Sequence, residues 1–446
     1  MQTTDPREDR AVRALRDLLT DLPTVPLAPE PRLEQTRRRS TGALLVAAVV
    51  TLLLILLQTV GQVADPSPAG GEEPGVLPDP FPAYSHLAST VEDDPAGAAM
   101  MVFTHGSGTE LLDSPKAVAL GADGATYRSL RTADRAGARV DQGDPGPTLV
   151  SPDGLTVAVG SRGGTGTLTT VDLRSGLRSE VALGEGRSTV PLAWSTDSRL
   201  LYVGTVTGQI DRYASLSGTP PRPDYDVSLV DLDAPPEAAT RDLPALAGAD
   251  AVAALPDAAG LLVARDGHTE LHNADATRLL REDTGVPPGL QATSVSPDGR
   301  RAVVESPGRS GRFAVVDLDD GVAGTDRSHD LSDLGSAPEV LGWLGDDRLL
   351  VAAYDDATSA SRLHLFALPV TGEAEELLVA QPGWTGAGIF DISVAADRLV
   401  GAEVADVGRS DRGSDLVLLR IGMVLALAVC LVLGLRLVAA RLRRDR

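Results

Sequence analysis

One cysteine, Cys430, one lysine, Lys116, and six histidines are all that 446 residues contain of those types, and aromatic side chains amount to 3%. A lone thiol excludes an internal disulfide and a zinc centre built from several thiolates, so any folded domain rests on its own packing. The scarcity of lysine removes the phosphate-loop reading of two glycine-rich stretches, Gly163-Gly-Thr-Gly and Gly106-Ser-Gly, since none follows at the required place. Positive charge is short overall. Lysine plus arginine number 40 against 62 acids, a formal charge of -22, which argues against nucleic acid as a partner of the main domain and favours a cation or a basic partner.

Arginine is also absent where its absence carries information. Between Gly61 and Pro115 there is no lysine or arginine, whereas Arg37, Arg38 and Arg39 closely precede the apolar run Ala43 to Leu57. With Val60 that run has about 20 residues, enough to cross roughly 30 Å of hydrocarbon. A second run, Ile421 to Leu435, ends in Arg441, Arg443, Arg444 and Arg446. The positive-inside rule then sets both ends in the cytoplasm and the middle outside it. The expected organisation is a cytoplasmic tail over 1–40, a transmembrane helix over 41–63, a linker over 64–80, a large extracytoplasmic domain over 81–419, a second transmembrane helix over 420–440 and a basic cytoplasmic end over 441–446. A cleaved signal peptide fits less well, because the apolar stretch is too long and the tail before it too extended. No cysteine follows it to take a lipid.

Val12, Leu15, Leu19 and Leu22 recur at spacings of three and four among arginines and acids, the pattern of an amphipathic helix. Pro23, Pro26, Pro29 and Pro31 end it. Such a helix either rests on the inner leaflet or docks a cytoplasmic partner. The 64–80 stretch is rich in Pro, Gly, Ala and Glu, with little to bury, and is expected to be a flexible tether.

From Phe81 onward the sequence repeats. Leu149-Val-Ser-Pro-Asp-Gly precedes a strand-like Leu-Thr-Val-Ala-Val, then Leu168-Thr-Thr-Val-Asp-Leu; Thr293-Ser-Val-Ser-Pro-Asp-Gly precedes Arg-Arg-Ala-Val-Val, then Phe313-Ala-Val-Val-Asp-Leu. Proline presets the first central angle of the turn, aspartate bonds the local backbone and glycine takes the positive angle, so each unit is a hairpin with a further strand. Decayed copies follow Leu192, Val252, Leu341 and Ile392, and a degenerate one lies near Val118. Their turn aspartates, Asp153, Asp197, Asp257, Asp298, Asp346 and Asp397, are about 40 to 60 residues apart, the period of a four-stranded propeller blade. The expected fold is all-β: an extracytoplasmic β-propeller of about seven blades, within a range of six to eight. Residues Asp415 to Leu419 would supply a late strand leading into the second span. Because a propeller closes its first blade on its last, the two spans would form a two-helix stalk.

These repeats resemble the WD-repeat-like propellers of the TolB type, whose blades carry a strand, a Ser-Pro-Asp-Gly turn and a later strand ending like Val-Asp-Leu. The resemblance covers about three quarters of the chain and implies a platform for proteins or ligands more than any one activity. The Ala, Gly, Pro, Asp and Val bias suggests a high-GC, actinobacterial source. The Ala14-Leu-Arg-Asp-Leu-Leu stretch with its prolines and arginine triplet is similar to inner tails of actinobacterial membrane proteins associated with sigma factors, without the His and Cys pattern of zinc-containing anti-sigma domains.

No catalytic constellation emerges. His105-Gly-Ser-Gly lacks the flanks of a nucleophile elbow. His268 and His272 have a metal-ligand spacing only on a helix; on a strand they share a face about 13 Å apart. Asp317-Leu-Asp-Asp and the pair Asp231 and Asp233 could hold calcium, or simply close hairpins. Trp194, Trp343 and Trp384 sit at or near strands, the first two at matching positions between blades. The leading expectation is a non-enzymatic membrane-anchored platform that binds a protein, glycan or small ligand and signals to a cytoplasmic partner such as a sigma factor. Its rivals are a propeller hydrolase or lactonase with acidic side chains around the central channel holding a metal, and a cell-envelope assembly scaffold.

Overall fold

Short apolar stretches separated by aspartate and glycine turns fold into antiparallel strands, because each stretch is too short for a stable helix and each turn reverses the chain. The computed structural model describes residues 73–81, 88–106, 115–137, 144–210, 225–235, 238–256, 259–266, 268–282, 284, 286, 291–305, 312–319, 322–355, 362–380, 388–408 and 410–411, with isolated helical positions at 422, 426, 429 and 436. The chain divides into two units, 62–421 and a second made of 1–61 with 422–446. Only the first is described in any extent. Among the described residues no helix is long and apolar enough to cross a membrane. The run Ala43 to Leu57, nearly all of Ile421 to Leu435, and the segment Asp415 to Leu419 lie outside the described residues.

Strand β1 is Val76–Pro78; β2 (Ala99–His105), β3 (Lys116–Gly121) and β4 (Tyr127–Ser129) follow, then helix α1 (Arg131–Ala136). Next come β5 (Thr148–Val150), β6 (Thr156–Val159), β7 (Thr167–Asp172) and β8 (Arg178–Ala182), then β9 (Arg187–Trp194), β10 (Leu200–Thr207), β11 (Asp226–Asp231) and β12 (Thr240–Asp242). The chain continues with β13 (Ala251–Ala254), β14 (Leu261–Arg265), β15 (His268–His272) and β16 (Leu279–Arg281), and with β17 (Gln291–Val295), β18 (Arg301–Glu305), β19 (Arg312–Asp319) and β20 (Val322–Asp330). It ends with β21 (Ser336–Gly345), β22 (Arg348–Tyr354), β23 (Leu363–Pro369), β24 (Glu375–Ala380), β25 (Ile389–Val394), helix α2 (Ala396–Leu399) and β26 (Glu403–Ala405).

Six four-stranded sheets result, and the fold is a six-bladed β-propeller. Five are consecutive: β5–β8, β9–β12, β13–β16, β17–β20 and β21–β24 form blades II to VI. Blade I has the order β25-β2-β3-β4, so a strand from near the C-terminal end of the propeller supplies its inner edge and three from near the start supply the rest. Six blades fall inside the expected range but one short of about seven. The stretches near Val118 and Ile392 look like two repeats in the sequence and belong to one sheet.

The apolar residues of the middle strands sort by alternation into the spaces between blades. In β22, Leu349, Val351 and Ala353 face blade V, whereas Leu350 and Ala352 face blade I. In β18, Val303 faces blade VI, and Ala302 and Val304 face blade IV. The same division holds for Tyr202 against Leu201 and Val203 in β10. Six apolar clusters fill the six interfaces, which is why these strands are apolar on both faces.

The chain ends are fastened more than once. β25 pairs with β2, Met101 opposite Val394 and Thr104 opposite Phe390. β1 runs parallel to β26, Val76 opposite Glu403. This strand falls within the 64–80 stretch expected to be a tether, and Leu77 is fully buried against blades I and VI. Two buried arginines add side-chain fastenings. Arg128 donates from Nε to the Asp94 carbonyl at 3.0 Å and from Nη1 to the Asp411 carbonyl at 3.1 Å, while Nη2 pairs with the carboxylates of Asp94 at 3.2 Å and Asp411 at 3.0 Å. Arg398 donates to the carbonyls of Asp153 and Glu73, both at 2.9 Å.

Candidate functional site

At one end of the propeller the first and second strands of blades II, III, V and VI are joined by the aspartate turns. Asp153 accepts the Ser151 hydroxyl and the Leu155 N–H, the latter at 2.9 Å, and Ser151 Oγ accepts the Thr156 N–H at 2.9 Å. Asp298 repeats this with Ser296 and the Arg300 N–H, at 2.6 and 3.0 Å. Asp197 does the same with Ser195 and the Arg199 N–H. The turns also touch one another: the Asp153 N–H donates to Ser198 Oγ of the next blade at 3.2 Å, and the Asp397 N–H to the Pro152 carbonyl at 3.0 Å. They form a structural rim.

The remaining turn aspartates depart from this scheme. Asp346 uses its carbonyl, which accepts Arg301 Nη1 at 3.1 Å. Asp397 lies in α2, where burial and then the neighbouring Asp153 carboxylate push its carboxyl up. Asp257 and the proposed docking residues Val12, Leu15, Leu19 and Leu22 lie outside the described residues.

Arg199, Asp231, Asp233, Asp317, His272 and Trp194 are engaged in structural contacts. Arg199 grips Asp231 through Nε and Nη2 at 3.2 and 3.1 Å and reaches Asp233 at 3.3 Å, and the hydrogen bond from Arg199 holds the Asp231 carboxyl below its ordinary range. Asp317 pairs with Arg301 at 3.3 Å. His268 and His272 both lie in strand β15, and His272 Nε2 lies 2.8 Å from Glu270, itself 3.2 Å from Arg265. Among the described residues no three His, Cys, Asp or Glu side chains are grouped to hold a metal. His105 is buried in β2, and its companion Ser107 lies outside the described residues. Trp194 and Trp343 pack between blades, Trp194 donating to the Leu149 carbonyl at 3.2 Å; Trp384 lies outside the described residues.

At the opposite end of the central channel is a cleft of ≈ 450 Å³. Its wall comes from the inner strands β5, β17, β21 and β25 with the approach to β5 and the outer ends of two second strands. Four charged side chains line it: Arg162, Glu305, Glu339 and Asp391. Inner-strand bulges help to shape this wall, since Thr293, Leu341 and one residue of the Asp391–Ile392 pair are extra residues opposite their partner strands. Asp391 itself has φ 51°, a left-handed angle that turns it out of the regular pleat. The same kind of bulge occurs at Leu192 of β9, so the cleft uses a feature of the repeat.

Glu305 ends β18 and accepts the Val340 N–H at 3.0 Å through Oε1, which leaves Oε2 for another partner. Burial pushes its carboxyl up to about 7, against that hydrogen bond, and the neighbouring Glu339 adds to the rise. Arg162 follows β6 and is positioned by its Nε bond to the Pro145 carbonyl at 3.0 Å. Thr104, Thr148, Thr293 and Ser393 add hydroxyls to the wall, and Ser393 Oγ accepts the Val150 N–H at 3.0 Å, joining β25 to β5. The cleft therefore offers hydrogen-bond partners of both signs in a channel mouth of ligand size.

None of these four charged residues stands in a local motif, and sequence reasoning passed over them. The one available signal is an acid closing an apolar strand, as in Ala302-Val-Val-Glu305.

The chain matches no family model and no curated protein. Solved structures to which it is similar include Kuenenia stuttgartiensis hydrazine synthase, at 18% identity and a TM-score of 0.35 over 52% of this chain and 66% of that one. A chain of a nidogen/laminin complex aligns at 12% identity and a TM-score of 0.41 over 67% of this chain and 98% of that one. A chain of a mitotic checkpoint complex aligns at 16% identity and a TM-score of 0.35 over 53% and 64%. At these values no activity carries over from them.

Proposed function

We propose that this chain is a membrane-anchored, extracytoplasmic propeller of the WD-repeat-like, TolB-related type that acts as a binding and sensory platform, with the charged cleft as its ligand site. Ala43 to Leu57 and Ile421 to Leu435 are its anchors, and the Val12 to Leu22 helix is the inward contact for a cytoplasmic partner such as a sigma factor. The observation that supports the ligand site is the ≈ 450 Å³ cleft lined by Arg162, Glu305, Glu339 and Asp391. The full-length protein in detergent is equilibrated with a small-molecule extract of cell envelopes, and retained compounds are identified by mass spectrometry. Thr148→Trp, which fills the cleft from β5, serves as comparison. A compound retained by the native protein and lost from the variant supports the site; equal retention by both overturns it.

A second reading, a propeller hydrolase or lactonase, draws on Glu305, whose carboxyl near neutrality in a cleft suits proton transfer. Lactone turnover abolished by Glu305→Gln would favour it over the platform.

A further inference from the structure

The four charges of the cleft are not mixed at random around the channel. Glu305 comes from blade V, Glu339 from blade VI and Asp391 from the inner strand of blade I, three blades in succession; Arg162 comes from blade II, the next one round. The wall is thus acidic along one arc and basic at its end. Arg162 and Glu305 are each fixed by a backbone bond that leaves donor or acceptor capacity over: Arg162 uses Nε on the Pro145 carbonyl, and Glu305 uses Oε1 on the Val340 N–H. A guanidinium so placed keeps its two terminal nitrogens for an anionic group. The carboxylates across the arc suit an ammonium, which carries three donors and no acceptor.

Resting on the cleft as the ligand site, we infer that its ligand is a small zwitterion, with an ammonium held against Glu305, Glu339 and Asp391 and a carboxylate held by Arg162. A dianion would meet the acidic arc, and a dication would bring one charge against Arg162. The volume suits a molecule of a few amino-acid units, such as a short peptide with both ends free. Thr104, Thr148, Thr293 and Ser393 line the same cleft, with hydroxyls suited to its amide groups.

Three probes of nearly equal size separate the contributions: trialanine, its C-terminal amide and its N-acetyl form, each titrated calorimetrically into the full-length protein. Trialanine is expected to bind about tenfold or more tightly than either capped peptide, the scale of one charge-assisted hydrogen bond in a cleft. In Arg162→Gln, trialanine should fall to the level of its amide while the amide is unaffected. In Asp391→Asn, and independently in Glu339→Gln should the bulge not tolerate the first change, it should fall to the level of the N-acetyl form. Equal binding of all three peptides, or tightest binding of the N-acetyl form, overturns the zwitterion. If no peptide binds while Thr148→Trp still abolishes retention of an envelope compound, the ligand class is wrong and the site stands; if retention survives Thr148→Trp, the site itself falls.

Discussion

Arg128 and Asp411 are 283 residues apart in the chain, and their side chains meet at 3.0 Å beneath the edge of blade I. The guanidinium is nearly inaccessible and also serves Asp94, so it joins segments from both sides of the ring closure. Removing it leaves the carbonyls of Asp94, Tyr127 and Asp411 without this donor and takes the cation from two carboxylates. Arg128→Ala is expected to cost about 2 kcal/mol, the scale for leaving buried backbone acceptors unsatisfied, since the two carboxylates are 32% and 52% exposed. Thermal and urea unfolding check this, and a loss below about 1 kcal/mol would show that β25 and β26 hold the ring without it.

The pH dependence of stability should carry the signature of Glu305. Its folded-state carboxyl lies at about 7, above the ordinary value of 4.5, so the folded protein retains a proton that the unfolded chain has lost. Below pH 4.5 both states are protonated and the effect vanishes. Stability is lost as pH rises from 4.5 through 7, and the loss is complete above it, amounting to ~3 kcal/mol at most. Glu305→Gln keeps an oxygen for the Val340 N–H and should match the native protein near pH 4 and exceed it at pH 8. Parallel melting curves across that range would contradict the assignment.

The turn at Ser198 differs from its relatives in placing a serine at φ 59°, where Gly154 and Gly299 stand at 73° and 71°. Its hydroxyl compensates by accepting the Asp153 N–H. Ser198→Ala loses the bond and keeps the left-handed angle; Ser198→Gly loses the bond and relieves the angle. The glycine variant should therefore be the more stable of the two by about 1 kcal/mol. Gly154 has no such freedom, because a Cβ there would lie 2.2 Å from the Ala99 carbonyl oxygen, and Gly154→Ala should be the worst of the three in denaturant melts.

Blade packing gives a fourth expectation. Leu350 is wholly buried between blades VI and I, where the ring closes. Leu350→Ala should cost about 2 to 5 kcal/mol, as large-to-small core changes do. A surface leucine such as Leu177, 71% exposed, should tolerate the same change within about 0.5 kcal/mol. Chemical denaturation of the pair measures the contrast.

What could be read from the sequence follows the range of the forces involved. The turns at Asp153 and Asp298 were legible because proline, aspartate and glycine act on their own backbone within four residues. The count of blades was not, since Val118 and Ile392 each sit in a strand of blade I and only closure reveals that they share it. Strand β1 escaped notice because Val76 and Leu77 are two apolar residues in a proline-rich stretch, paired only with the far end of the chain. The cleft was the least legible part. Arg162, Glu305, Glu339 and Asp391 come from four blades and become neighbours only when the ring is complete.

Because β25 is the inner strand of blade I, the order of synthesis has a structural consequence. A growing chain can form blades II to VI as it emerges, but β2 must wait with one edge unpaired until residues Ile389–Val394 arrive. A product that stops at 388 would contain five whole blades and one open edge, a template for pairing with another chain. The last tenth of the propeller thus decides whether the first tenth is finished or left adhesive.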